Sequence, residues 1–144
     1  MKPTIEIGCD HAGFELKELI KKHLVNNGFT VNDHGAYSAD SVDYPDLAHS
    51  VSKSLLNNTQ NLGVLICGSG NGINMTANKY SHVRSALCWT PEIAQLARSH
   101  NNANIIALPA RFISTVDAIK AIDLFLSTTF EGGRHQNRIN KINC

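Results

Sequence analysis

The sequence predicts a doubly wound α/β fold, a single Rossmann-like domain over residues 1–144 with a five-stranded parallel sheet and helices on both faces. Three observations predict it. Short apolar runs of strand length alternate with longer segments whose apolar residues recur at helical spacing. The run Leu62–Cys67 is apolar throughout, as a strand buried on both faces requires. The strands are also separated by helix-length crossovers, the connection that parallel neighbours need.

In chain order, Ile5–Cys9 reads as the first strand, ended by Asp10-His11-Ala12-Gly13. The next helix places Leu16, Leu19, Ile20 and Leu24 on one stripe, with Glu15, Lys17, Glu18 and Lys21 opposite, and stops at Asn26-Asn27-Gly28. Residues 29–31 form a weakly marked second strand. A polar, turn-rich loop from Asp33 to Tyr44 follows, long enough to point to function. Pro45 opens a helix carrying Leu47, Ala48, Val51 and Leu55 inward. After the central strand comes a helix with Ile73, Ala77 and Tyr80 on one side, then a strand over Val83–Cys88. Thr90-Pro91 starts a helix with Ile93, Ala94, Leu96 and Ala97, which ends at His100-Asn101-Asn102. Asn104–Leu108 is the fifth strand, broken by Pro109. Ser114 or Thr115 caps a helix with Ala118, Ile119, Ile122 and Phe125 inward; Glu131-Gly132-Gly133 interrupts it, and 134–142 reads as a closing helix.

Length and charge narrow the class. A chain of 144 residues is long enough to bury a core without staples. With 13 basic and 12 acidic residues, no surface for nucleic acid or an anionic membrane is implied, so a bound anion must be held locally. No run reaches transmembrane length, and the first residues lack a signal-peptide core. Cys9, Cys67, Cys88 and Cys144 show no metal-ligand spacing and read as reduced cytoplasmic thiols.

The chemistry gathers where parallel strands end, since ligands of open α/β sheets bind outside the carboxyl ends. Asp10, His11, Cys67 with its glycines, and Arg111 fall there. Cys9 and Cys88 read as packing thiols. Cys67 differs by position: it precedes Gly68-Ser69-Gly70-Asn71-Gly72 at the start of a helix, where amides and macrodipole favour a thiolate. The glycine pattern fits neither a dinucleotide nor a Walker loop. As a tight turn it has more glycine than a turn needs, and the surplus suits an oxyanion site. Asp10 reads equally as a helix N-cap. Arg134 and Arg138 share a helical face, as a solvated basic surface or a phosphate clamp. His23, His34, His49, His82 and His135 show no partner and read as solvated or packed.

Taken together and in order, these residues resemble ribose-5-phosphate isomerase type B and its galactose-6-phosphate isomerase relatives over nearly the whole chain. The resemblance lies in Gly8-Cys9-Asp10-His11-Ala12-Gly13-Phe14 with Leu16-Lys17, in Asp43-Tyr44-Pro45, and in Cys67–Gly72 with Ala77-Asn78-Lys79. Arg98-x-His100-Asn101 and Gly132-Gly133-Arg134-His135-x-x-Arg138 complete it. It implies an aldose–ketose isomerase interconverting ribose 5-phosphate and ribulose 5-phosphate through an enediolate, in the non-oxidative pentose phosphate branch, with no metal or organic cofactor. By the same resemblance Cys67 is the base, His100 opens the sugar ring and Asp10 assists at the ring oxygen and hydroxyls. Gly68, Ser69, Gly70, Asn71 and Gly72 hold the enediolate, His11, Arg111, Arg134 and Arg138 bind phosphate, and Tyr44 and Asn101 line the sugar. No carboxylate stands at Gly72-Ile73-Asn74, which favours the cysteine type over members that use glutamate.

The resemblance further implies a homodimer with shared active sites, the C-terminal helix extending to the partner, with a tetramer as an alternative. Pro109 departs from the family, which usually has glycine there, and bears on the aim of Arg111 because proline fixes φ and lacks an N–H. The rival readings are a hexose 6-phosphate isomerase (allose or galactose 6-phosphate) and a non-catalytic sugar-phosphate-binding module.

Overall fold

The structure is a computed structural model that describes residues 1–144. All strands are parallel, in the order β2-β1-β3-β5-β4. They are β1 Ile5–Cys9, β2 Val31–Asp33, β3 Leu62–Cys67, β4 Ser85–Leu87 and β5 Ile105–Pro109. The helices are α1 Phe14–Asn26, α2 Tyr44–Asn57, α3 Asn71–Ala77, α4 Pro91–Ser99, α5 Thr115–Ser127 and α6 Arg134–Ile139, with a 3-10 turn at His11–Gly13. The chain leaves β1 toward β2 on one side and leaves β3 toward β4 on the other. The strand order therefore reverses at the carboxyl ends of β1 and β3, the position at which such sheets open a crevice.

Side-chain alternation divides the core. Ile5, Ile7, Val64, Ile66, Ile106 and Leu108 face α1, α4 and α5, while Leu65, Cys67, Ile105 and Ala107 face α2 and α3. A period of two in the strands meets a period near 3.6 in the helices, so each helix covers one face. Capping follows the sequence: Thr90 accepts from Ile93 N–H at 3.3 Å and Ser114 from Asp117 N–H at 3.1 Å. No helix is long and apolar enough to cross a membrane.

Several elements depart from expectation. The second strand lies two residues later than its apolar run, at Val31–Asp33, because pairing with Ile5–Ile7 extends it through polar Asn32-Asp33. The fourth contracts to an edge strand: Asn78 occupies the backbone of Ser85 through 2.9 Å bonds in both directions, and Asn104 that of Arg84. Helix α3 stops at Ala77, leaving Tyr80 in a turn bonded to His49 at 2.7 Å, and α6 stops at Ile139. Leu19 and Leu96 are exposed rather than inward. On α1 the buried face is Leu16, Lys17, Ile20 and Leu24, so Lys17 is turned inward where the sequence put it in solvent. Lys17 is fully buried, and its ammonium donates to Asp33 at 2.7 and 2.8 Å and to Ala36 O at 2.7 Å.

Candidate active site

At the reversal point, β3 ends on Cys67, which is 4% exposed, and the chain turns through Gly68–Gly70 into α3. Gly70 takes φ +75°, which ordinary side chains rarely adopt, and there a Cβ would lie 2.4 Å from Leu87 Cδ1. The turn leaves donors over. The N–H groups of Gly68, Ser69, Gly70 and Gly72 donate to no protein acceptor, and only Asn71 N–H has one, the Ser69 hydroxyl at 3.3 Å. A set of free amides directly after a buried thiol is an anion-ready arrangement.

Other elements bring polar groups to the same edge. Asp10 follows β1; its Oδ1 accepts from Ala12 and Gly13 N–H at 3.0 and 3.2 Å, so the cap is real and occupies one carboxylate oxygen. Oδ2 makes no protein hydrogen bond and is free for a ligand. His11 Nδ1 accepts a long 3.4 Å bond from Val42 N–H, which ties the 33–44 loop to the end of β1. Tyr44, the first residue of α2, lies against the glycine loop: a Cβ on Gly72 would come within 2.3 Å of its ring. The Arg111 guanidinium packs over Gly68, where a Cβ would meet Nη1 at 3.1 Å. Pro109 closes β5 opposite Cys67, and Ala110 and Arg111 N–H donate to Cys67 O and Gly68 O at 2.9 and 3.0 Å.

His100, Asn101, Arg134 and Arg138 are elsewhere. Helix α4 runs back along the sheet, so His100, at its C-terminal end, stands beside the start of β5 rather than its finish. Ile105 to Pro109 alone covers roughly 13 Å at ~3.3 Å per residue, and Cys67 is at the far end. His100 stacks on His135 of α6, ring centroids 4.3 Å apart and planes 11° from parallel. Glu131 lies between their edges, 3.8 Å from His100 Nε2 and 3.3 Å from His135 Nε2. Arg134 and Arg138 belong to the same helix and hence the same end. One chain therefore does not gather the expected residues into one pocket; it splits them between the two ends of the sheet.

Further corrections concern the histidines. All five expected to stand alone have partners, among them His34 with Glu6 at 2.7 Å, His23 with Asp123 at 2.7 Å and His82 with Ser52 O at 2.8 Å. His135 is the consequential one, missed together with Glu131 because a residue that supports another leaves no mark of its own in sequence. The only signal was the spacing of four between them. Ligand atoms of His100, Glu131 and His135 lie within 4.8 Å of one another. The stacked rings and the carboxylate beside them join the end of α4 to α6. The packing thiols are as read: Cys9 and Cys88 are buried, and burial pushes them up to about 11 and about 12.

Fold and site together define a small parallel α/β protein with a buried thiol and free amides at the sheet's reversal point. The Ribose/Galactose Isomerase family model matches residues 5–142, and the chain belongs to that family of isomerases. It is 41% identical over 138 residues to ribose-5-phosphate isomerase B of Escherichia coli K12, covering 96% of this chain and 93% of that protein. The crystal structure of a ribose 5-phosphate isomerase from Thermotoga maritima superposes with a TM-score of 0.96 at 52% identity, covering 99% of this chain and 98% of that one. The ribose-5-phosphate isomerase B of Mycoplasma genitalium, crystallised with bound ribulose-5-phosphate, gives a TM-score of 0.95 at 45% identity over 99% and 95% of the two chains.

Proposed function

We propose that the chain, as one isomerase domain over residues 1–144, interconverts D-ribose 5-phosphate and D-ribulose 5-phosphate through an enediolate. The observation that carries the reading is the row of free amides at Gly68, Ser69, Gly70 and Gly72 next to Cys67. Aldose–ketose isomerisation needs a base that moves a proton between C2 and C1 and donors for the oxygen that becomes negative. Cys67 is the base. Because it is almost covered, the sugar must be seated directly on the sulfur. The loop amides accept the developing enediolate charge, each worth ~3–4 kcal/mol in a transition state. Asp10 Oδ2 and Tyr44 contact the sugar, while His11 and Arg111 face its phosphate end. No metal or organic cofactor enters these steps, and buried reduced thiols suit a cytoplasmic setting.

Ring opening, assigned to His100, and the Arg134–Arg138 clamp must come from a second copy. The geometry supports this, since neither can reach Cys67 within its own chain. In a two-fold dimer the His100 and α6 end of each subunit meets the Cys67 edge of the other, giving two equivalent sites. Asn101 travels with His100.

Mixing subunits tests both halves. Cys67→Ser and His100→Asn chains are each expected to be inactive alone. Refolded together in equal amounts, about a quarter of wild-type activity should return, because half the dimers are mixed and each has one intact shared site. Near-normal turnover by Cys67→Ser would remove the thiol from the mechanism. No recovery on mixing would put His100 and Cys67 in the same subunit's site.

A further inference from the structure

The opposite edge of the sheet holds a second feature. The start of β1, the turn before β3, the end of α5 and the turn after α4 surround a cavity of about 930 Å³, within the range of small-molecule sites. Its wall carries His82, Arg84 and Arg98 and not one Asp or Glu; Lys2 also borders it, but its ammonium is turned away, donating to Asn27 O and lying 4.7 Å from the centre of the Phe29 ring. Neither arginine, nor Lys2, lies within ion-pair distance of any carboxylate. In a chain with nearly balanced charge this concentration of cations stands out.

The two guanidiniums are built in rather than draped. Arg84 Nε donates to Asn101 O and Asn102 O at 3.1 Å each, and its Nη2 to Asn102 O at 2.9 Å. Arg98 Nη1 donates to Asn102 Oδ1 at 3.2 Å and Ala103 O at 2.6 Å. Arg98 Nε is buried with no acceptor at all. Burial lowers the proton affinity of both groups, and Arg98 also feels the like charge of Arg84. The carbonyls at the end of α4 offset part of that cost through the helix dipole, but they supply no counter-charge. Each guanidinium keeps N–H donors beyond those spent on the turn.

We propose that this cavity is an anion site for a small phosphate-bearing molecule, held by Arg84 and Arg98. Guanidinium forks match phosphate oxygens in pairs, which favours phosphate chemistry over a simple halide. The same two side chains hold residues 101–103, directly after His100. An anion held on the spare donors pulls on the same guanidiniums that fix that turn, so it also alters isomerase turnover; this second part alone rests on the proposed role of His100.

Binding is tested without any activity assay. In an Arg111→Ala/Arg134→Ala/Arg138→Ala chain, which lacks the proposed substrate clamp, calorimetric titration with inorganic phosphate should still show one site per chain. Adding Arg98→Gln should weaken it ~10-fold or more, equivalent to about 1.4 kcal/mol. Arg98→Lys, which keeps the charge and loses the fork, should weaken it by a smaller factor without altering the circular dichroism spectrum. Glycerol 3-phosphate in place of inorganic phosphate distinguishes a phosphomonoester from the free ion as the preferred occupant. Loss of all phosphate binding in the triple variant, or binding indifferent to both Arg98→Gln and Arg98→Lys, overturns the site. For the coupling, phosphate should lower wild-type kcat as well as raise KM; purely competitive inhibition would overturn the coupling and leave the binding result standing.

Discussion

Asp33→Asn is the substitution through which the structure exposes itself most. Asp33 supplies both oxygens to Lys17 and one to Lys21, the latter at 2.7 Å, and accepts from Gly35 N–H at 2.9 Å. Lys17 has no exposure, so losing the carboxylate strands a buried ammonium on the single carbonyl of Ala36 and the more distant Glu18 at 3.4 Å. Removing one partner of a buried pair costs ~3–5 kcal/mol, a large share of the ~5–15 kcal/mol that holds a domain folded. At ~2–4 °C per kcal/mol for a domain of this size, Tm should fall by about 10 °C.

Acid should act in the same sense. Burial works against the Asp33 charge, but the lysine hydrogen bonds outweigh it and leave the carboxyl below its ordinary range. A depressed carboxyl contributes stability that is present above its unfolded pKa and lost as pH falls through the folded one. The wild type should therefore lose more stability than Asp33→Asn on going from neutral pH into the acid range. Urea unfolding followed by circular dichroism, for wild type, Asp33→Asn, Lys17→Met and the double variant, measures this. The double variant should recover much of the loss, since an apolar chain of similar length replaces the stranded ammonium. If Asp33→Asn unfolds within about 1 kcal/mol of wild type, burial of Lys17 as a charged group is refuted.

Two further outcomes follow from local geometry. Gly72→Ala places a methyl 2.3 Å from the Tyr44 ring, so the half-exposed tyrosine must swing off the loop; stability should change by less than about 1 kcal/mol because alanine favours the helix, while kcat/KM falls and, in a Tyr44→Ala background, falls no further. Among the thiols, exposed Cys144 should react with an alkylating reagent near pH 8, whereas Cys9 and Cys88, raised by burial to about 11 and about 12, should stay unmodified until the chain unfolds; mass mapping reads the order.

What sequence could and could not supply follows from where the information resides. Leu62–Cys67 and the stripe of α5 were legible because burial on a regular element writes its period into neighbouring residues. The place of Cys67, Asp10 and Arg111 at one edge followed from strand direction alone. Lys17 was misplaced because its partner, Asp33, sits on another element, and a lysine reads as solvent-facing until that partner is known. The second strand slipped for the same reason: its polar half is held by β1 and by Lys17 rather than by its own side chains. His135 was passed over because its meaning lies in the ring it stacks on. The division of the site between two sheet ends was not written locally at all, since it depends on the direction of α4 relative to β5.

That division has a physical logic. Proton transfer between adjacent carbons tolerates little misplacement, and in the proposed site the base sits on the most deeply bonded strand, flanked by β1 and β5 on either side. The amides that meet the negative charge belong to the turn immediately after it, fixed by Arg111 and Ala110 N–H on the two carbonyls beneath. Ring opening and phosphate capture need reach more than rigidity, and in the proposed site they fall to side chains at the end of α4 and on α6, aligned by the His100–His135 stack and the Glu131 carboxylate beside it. If those groups reach Cys67 only across a two-fold contact, assembly and competence are the same event: a lone subunit holds the thiol and the amides but no means to open a furanose ring. The dependence of turnover on subunit concentration is then set by dimer affinity rather than by anything in the reacting centre.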